Sequence, residues 1–146
     1  MNKFSPILLL TAFSIVGCGE SGPELSVAEV QIVAPAPGRS ASVAYMTITN
    51  RGGTPAVLMR ISSTQYATVE LHETVIANGV ARMQALDYIT VDANGSADFA
   101  PGGKHVMLFE PSQAWMPGNN ISLQLHFESG AILMVSAPLS TRIDVN

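Results

Sequence analysis

Thiol chemistry is nearly absent from this chain: its 146 residues include one cysteine, Cys18. No disulfide can close within the chain, so a fold must be held by its own apolar core. A domain downstream of Cys18 also cannot supply the thiolate that a blue-copper electron-transfer centre requires. Charge is scarce too. Charged residues make up 12% of the chain, the formal net charge is −4, and no basic block offers a nucleic-acid footprint. Aromatic residues are only 6%, with a single tryptophan, Trp115. There is no G-x-S-x-G elbow, no H-E-x-x-H helix and no phosphate-binding glycine loop, so the enzyme classes built on those motifs find no support. No internal repeat, low-complexity tract or sustained helical period interrupts the pattern. What is present is a 47% hydrophobic composition, which excludes a disordered chain, and a length that suits one domain with a real core.

The first residues, "MNKFSPILLLTAFSIVGCGE", stand apart. Lys3 provides a positive start, and the apolar run after it is too short for a bilayer core that needs about 20 helical residues. This is the build of a secretion signal. Its end, "IVGC", resembles a bacterial lipoprotein signal, and the resemblance implies that Cys18 becomes the lipidated first residue of an exported, periplasmic protein anchored to a bacterial membrane. The alternative is an ordinary signal peptide cut nearby, with Cys18 a spare thiol. The expected organisation is a signal peptide over 1–17, a lipidated cysteine and flexible tether over 18–26, and one folded domain over 27–146. "GESGPELS" is small and polar enough to serve as that tether.

The domain reads as short strands. "SVAYMTITN" is rich in β-branched residues and stops at "NRGG"; "PAVLMRISS", "ATVELHE" and "GVARMQALDYITV" follow. Asn78-Gly79, between the last two, is a hairpin turn signal because both residues tolerate positive φ. "SADFA", "KHVMLFE", "ISLQLHFES" and "AILMVSAPL" complete the series. Roughly seven to nine strands, with turns about every eight to twelve residues, predict an all-β, antiparallel sandwich or barrel. The stretch 50–68 leaves room for a helix.

Strand periodicity brings chemistry together. In "KHVMLFE", His105 and Met107 project from one face and Val106 and Leu108 from the other, the first pair about 7 Å apart at their backbones. In "VELHE", His72 lies on the face opposite Val69 and Leu71. With Met83, these residues offer two imidazoles and two thioethers. Such a set suits Cu(I) far better than Zn(II), Mg(II) or Ca(II), and in an oxidising compartment it avoids the vulnerability of thiolates. The bland alternative, two core methionines and two surface histidines, stays open on physical grounds alone, because methionine is a common core filler.

The spacing His72, ten residues, Met83, twenty-one residues, His105-Val106-Met107 resembles the His-x10-Met-x21-His-x-Met signature of the periplasmic copper chaperone family of the PCu(A)C type. "VAYMTITNRG", "VELHETVIANGVARM", "PGGKHVMLFE" and "LQLHFESG" fall in the order and phase of that family's strands, so the resemblance covers most of residues 27–138. It implies a cupredoxin-like Greek-key β-sandwich that binds one Cu(I) through His72, Met83, His105 and Met107. It also implies that the ion travels to a copper-accepting oxidase subunit, at the CuA centre of cytochrome c oxidase, or to another periplasmic copper protein. A copper buffer or resistance lipoprotein with no dedicated recipient, and a metal-free structural sandwich, are the competing readings. The chain departs from the family in ending "STRIDVN" without a His/Met-rich tail, and in carrying Trp115 and Met116, which either cover the site or anchor a loop. Elsewhere His126 is expected to face solvent, Met46, Met59 and Met134 to lie in the core, and Glu73 to be a solvated charge or a partner of His72.

Overall fold

A computed structural model describes residues 21–143. Ten strands follow one another: β1 (Leu25–Val33), β2 (Ser42–Asn50), β3 (Ala56–Ser62), β4 (Tyr66–Ala77), β5 (Val80–Leu86), β6 (Ile89–Val91), β7 (Gly95–Phe99), β8 (Lys104–Pro111), β9 (Asn120–Phe127) and β10 (Ile132–Ser140). No helix occurs among the described residues, so 50–68 holds β3 and the start of β4 instead.

The strands form one continuous order, β5-β4-β8-β7-β2-β1-β10-β9-β3-β6, folded on itself into two leaves. The first leaf runs from β5 to β1 and the second from β10 to β6; they join where Ile32 and Val33 run parallel to Leu139 and Ser140. Apart from that junction and one short β7–β8 contact, the pairings are antiparallel. The chain crosses between leaves after β2, β3, β5, β6 and β8, giving the Greek-key, cupredoxin-like β-sandwich.

Period-two burial drives the packing. In β2 Ala44, Met46 and Ile48 point inward, in β8 Val106 and Leu108, and in β9 Ile121, Leu123, Leu125 and Phe127. Burying each such Leu, Ile or Phe side chain fully is worth about 1.5–3 kcal/mol. Because the inner face of β8 belongs to Val106 and Leu108, the intervening His105 and Met107 must occupy the outer face of the first leaf.

Three expectations need correction. Met46 is core, but Met134 is 71% and Met59 44% exposed. Met134 alternates with the inward-facing Leu133 and Val135, and Met59 sits at a bulge where the β3–β9 register shifts between Leu58 and Arg60. "GVARMQALDYITV" is two strands rather than one: β5 pairs with β4 in the first leaf and β6 with β3 in the second, so the chain changes leaves at Asp87-Tyr88. The tether boundary also moves. Leu25 and Ser26 already pair with Asn50 and Thr49, while Arg51 N–H donates to the Glu24 carbonyl at 2.8 Å and Gly53 N–H to that of Ser21 at 3.0 Å. Residues 21–26 are therefore part of the fold; Cys18 and the expected signal lie outside the described residues.

Asn50, fully buried, holds this entry of the chain. Its Nδ2 donates to the carbonyls of Thr54 at 2.8 Å and Val91 at 3.3 Å, and its Oδ1 accepts from the N–H of Glu24 at 3.1 Å and Gly52 at 3.0 Å. All four hydrogen-bonding valences of the amide are used. Gly52 is required beside it, since a Cβ there would collide with the Gly22 carbonyl and Glu24 nitrogen. Replacing Asn50 by Ala leaves four backbone groups to find new partners. The expected outcome, measured by denaturant unfolding, is a loss of at least about 2 kcal/mol, against less than about 0.5 kcal/mol for the exposed Met134→Leu.

Candidate metal centre

The outer face of β5, β4 and β8 carries the site. Val69 and Leu71 from β4 and Val106 and Leu108 from β8 turn toward the interior, and this leaves His72 and His105 facing outward. The β4–β8 register sets His72 directly opposite His105, with ring centroids 6.0 Å apart and planes inclined by 44°. Asn78 (φ 53) and Gly79 (φ 75) both adopt positive φ, as a tight hairpin demands. That turn fixes the β4–β5 register so that Met83 stands opposite Thr74, one outward step beyond His72.

The imidazole of His105 is only 6% exposed. Its Nδ1 lies 3.0 Å from the Gly103 carbonyl oxygen, and since a carbonyl only accepts, Nδ1 carries the proton and donates. Nε2 of the neutral ring is then a lone pair, and it faces the Met83 sulfur at 3.0 Å. Met83 itself is 59% exposed on the edge strand β5, so the bland reading of it as a core filler does not hold.

His72 is oriented differently. Its Nε2 lies 2.8 Å from Oε2 of Glu70, while its buried Nδ1 has no hydrogen-bond partner. Glu73, expected as a possible partner, turns instead to Lys104, at 3.4 Å. Sequence reasoning missed Glu70, although the signal was there: in a strand, a residue two positions before His72 shares its face, and its immediate neighbour does not.

Met107 opposes Glu70 on one side and Val43 on the other, on the same outer face as His105. With Met83 and His105 it borders an open cavity of about 500 Å³, whose walls include Tyr45 and Phe109. Burial pushes the Tyr45 phenol above its ordinary value, so it stays a neutral wall. The structure thus brings His72, His105 and Met83 into one cluster, and sets Met107 on the cavity that His105 and Met83 line. Among the described residues, no group of three or more His, Cys, Asp or Glu side chains forms a competing, harder metal site.

Trp115 lies elsewhere. It packs against the core and its Nε1–H donates to the Gln65 carbonyl at 3.2 Å, anchoring the β8–β9 loop at the far end of β4 from His72. Met116 is exposed in the same loop.

The family model described as "Putative lipoprotein LpqE-like" matches residues 25–139. The chain belongs to the LpqE-like family. A relative in Leifsonia xyli subsp. xyli, "Putative lipoprotein Lxx21020", is 31% identical over 105 residues, 71% of this chain and 63% of that protein. "Uncharacterized protein RP573" of Rickettsia prowazekii is 28% identical over 102 residues, 69% of this chain and 56% of that protein. The alignments thus span less than two thirds of the length of these two relatives. Among solved structures, the "Copper-bound PCuAC domain from PmoF2" superposes with a TM-score of 0.67 at 22% identity, covering 85% of this chain and 99% of that one. The "Solution structure of CuI-DR1885 from Deinococcus Radiodurans" gives 0.64 at 23% identity, covering 89% and 84%. At these identities the superpositions establish that the LpqE-like chain has the PCuAC fold.

The third histidine of this LpqE-like chain, His126, is on the other leaf, facing outward. It is not free in solvent: its Nε2 contacts Ser62 Oγ at 2.8 Å and its Nδ1 contacts the Arg60 guanidinium at 3.3 Å. Guanidinium nitrogens only donate, so Nδ1 accepts and the neutral ring is the one that fits. Partial burial, and then the Arg60 charge, push its pKa below the usual histidine value of 6.5. A histidine with a lowered folded-state pKa contributes fully above the unfolded value; its contribution declines as pH falls through about 6.5 and levels off below the folded value. The unfolding free-energy gap between the wild type and His126→Gln should therefore shrink between about pH 7.5 and pH 5. A gap that widens on acidification would show that the ring is held as a cation.

Proposed function

We propose that this protein is an exported, non-enzymatic copper carrier that holds one Cu(I) at His72, Met83, His105 and Met107. The observation that carries the reading is the His105 imidazole. Its Nδ1 is committed to a backbone carbonyl and its Nε2 lone pair is aimed at a thioether, next to a second imidazole whose buried nitrogen has no partner. Two neutral nitrogens and two neutral sulfurs provide soft donors and no compensating charge, which favours a monovalent soft ion over a divalent hard one. Support also comes from the fold, since the solved structures that share it include a copper-bound PCuAC domain and a Cu(I) form of DR1885.

The ligands differ in how firmly the protein holds them. His105 is enclosed and braced by Gly103, whereas Met83 is exposed on an edge strand. A carrier needs this inequality, because an incoming ligand from a recipient can displace the exposed thioether while the imidazoles still hold the ion. We place the recipient at the CuA centre of cytochrome c oxidase, as the copper-chaperone resemblance implies. Lipidation at Cys18 would hold the carrier at the membrane and raise the effective concentration of each encounter without any new contact.

Competition against a Cu(I) chelator should give one equivalent per chain, with Zn(II) bound far more weakly. Met83→Leu and Met107→Leu conserve volume, so each should keep the fold within about 1.5 kcal/mol while losing most Cu(I) affinity. Met134→Leu, on the opposite leaf, should leave affinity alone. Equal behaviour of the Met107 and Met134 variants would dismiss the site.

Delivery has its own test. Cells lacking the protein should show weak oxidase activity when copper is scarce, restored by added copper, and Cys18→Ser should weaken delivery while the purified domain keeps its affinity. Normal oxidase activity under copper limitation together with reduced copper tolerance would instead identify a buffer.

A further inference from the structure

The two imidazoles of the site do not present the same nitrogen. His105 has its Nδ1–H anchored on the Gly103 carbonyl and offers Nε2. For His72 the arrangement is reversed: Nε2 is 2.8 Å from the Glu70 carboxylate, a group that accepts, and Nδ1 is buried with no partner. If Nδ1 carried a proton, a buried donor would go unused, which proteins avoid. With the proton on Nε2, the hydrogen bond to Glu70 is made and Nδ1 is a bare lone pair. From this geometry, and resting on the carrier reading above, we infer that Glu70 is a positioning residue which selects the His72 tautomer. Cu(I) is then held by Nδ1 of His72 and Nε2 of His105.

The register explains why a side chain is needed at one histidine and not at the other. His105 follows the Ala100–Gly103 turn, whose Gly103 carbonyl folds back within reach of its ring. His72 lies inside a long strand whose backbone carbonyls are spent on β5 and β8, so its brace must come from a neighbour on the same face. Glu70, two residues earlier, occupies that place, and its side chain is 46% exposed against 16% for His72. The carboxylate therefore keeps its hydration while its oxygen holds Nε2–H. An imidazole that donates to a carboxylate is also a more basic ligand through its other nitrogen. Glu70 thereby brings negative charge to an otherwise neutral donor set without entering it.

The test uses nitrogen-15 NMR of histidine-labelled protein in the apo state and with one equivalent of Cu(I) or Ag(I). Apo wild type should show His72 protonated at Nε2 and His105 at Nδ1, and metal should shift Nδ1 of His72 and Nε2 of His105. Glu70→Gln retains an oxygen acceptor and should keep the tautomer and most of the affinity. Glu70→Ala should mix the two His72 tautomers and lower Cu(I) affinity by about 10-fold to 100-fold, leaving the His105 resonances and the thermal unfolding profile in place. A wild-type His72 protonated at Nδ1, a metal-induced shift at its Nε2, or a Glu70→Ala variant with unchanged tautomer and affinity would each overturn the inference. Failure of the wild type to bind Cu(I) would overturn the carrier reading and would be seen separately, because the apo tautomer is read without metal.

Discussion

The pairing of His72 with His105 across β4 and β8 is the constraint on which the rest of the site depends. It is set by residues that have nothing to do with metal. Leu71 and Val106 are paired partners, as are Val69 and Leu108, and these side chains seek the interior. Because side chains alternate with a period of two, sinking them forces both imidazoles onto the opposite face. A slip of one residue would send an imidazole into the core and a leucine into water, so the hydrophobic effect protects the register of the two histidines. The Asn78-Gly79 turn then does for β5 what the core does for β8, placing Met83 opposite Thr74 and its sulfur against His105. Core packing and turn chemistry thus build the donor set, and the donors need contribute no stability of their own.

Polar groups of the first leaf divide the same labour differently. Asn50 uses a fully satisfied amide to seat the chain where it enters the sandwich, seven residues along β2 from Val43, which pairs with Met107. At about 3.3 Å per residue that places the structural polar cluster some 23 Å from the level of Met107. Changes in one need not disturb the other. Glu70 and Gly103 act at the opposite scale, each within one hydrogen bond of a ring nitrogen.

Much of this was legible in the sequence, and the failures share a physical origin. Where one face is apolar and the other polar, as in "KHVMLFE" and "ISLQLHFES", the period of two gave faces that the structure reproduces. "AILMVSAPL" has apolar residues on both faces of its first half, so nothing in the pattern told Met134 from Leu133, and only the sheet order decides which one is covered. β1 escaped because Glu29, at φ 55, inserts a bulge: Val27 faces in, and the inward phase resumes at Val30 and Ile32. Met59 was lost to a second bulge. Spacing along the chain pointed to the four proposed ligands, but spacing has no information about which ring nitrogen is free. That depends on hydrogen bonds to Glu70 and Gly103, which exist only once β4 and β8 are paired.

Exposure along the site follows from strand neighbours, and for the proposed carrier it bears on how the ion is let go. β8 lies inside the sheet, so His105 is hemmed in on both sides. The β4–β8 pairing stops at Glu73 and Lys104, and beyond it β4 continues with β5 as a two-stranded arm that holds Met83. Two-stranded ribbons are marginal by themselves, and segments with few buried apolar contacts open at far lower cost than the core. Ile76, Val80 and Met83, all largely exposed, give this arm little to bury. On the proposed reading, the arm can move its thioether off the ion while the sandwich, and the two imidazoles seated on it, stay folded. Loading and release would then use a local motion whose cost is uncoupled from global stability. A donor set placed wholly on central strands could not offer this, since freeing any one ligand would require opening the core that positions the others.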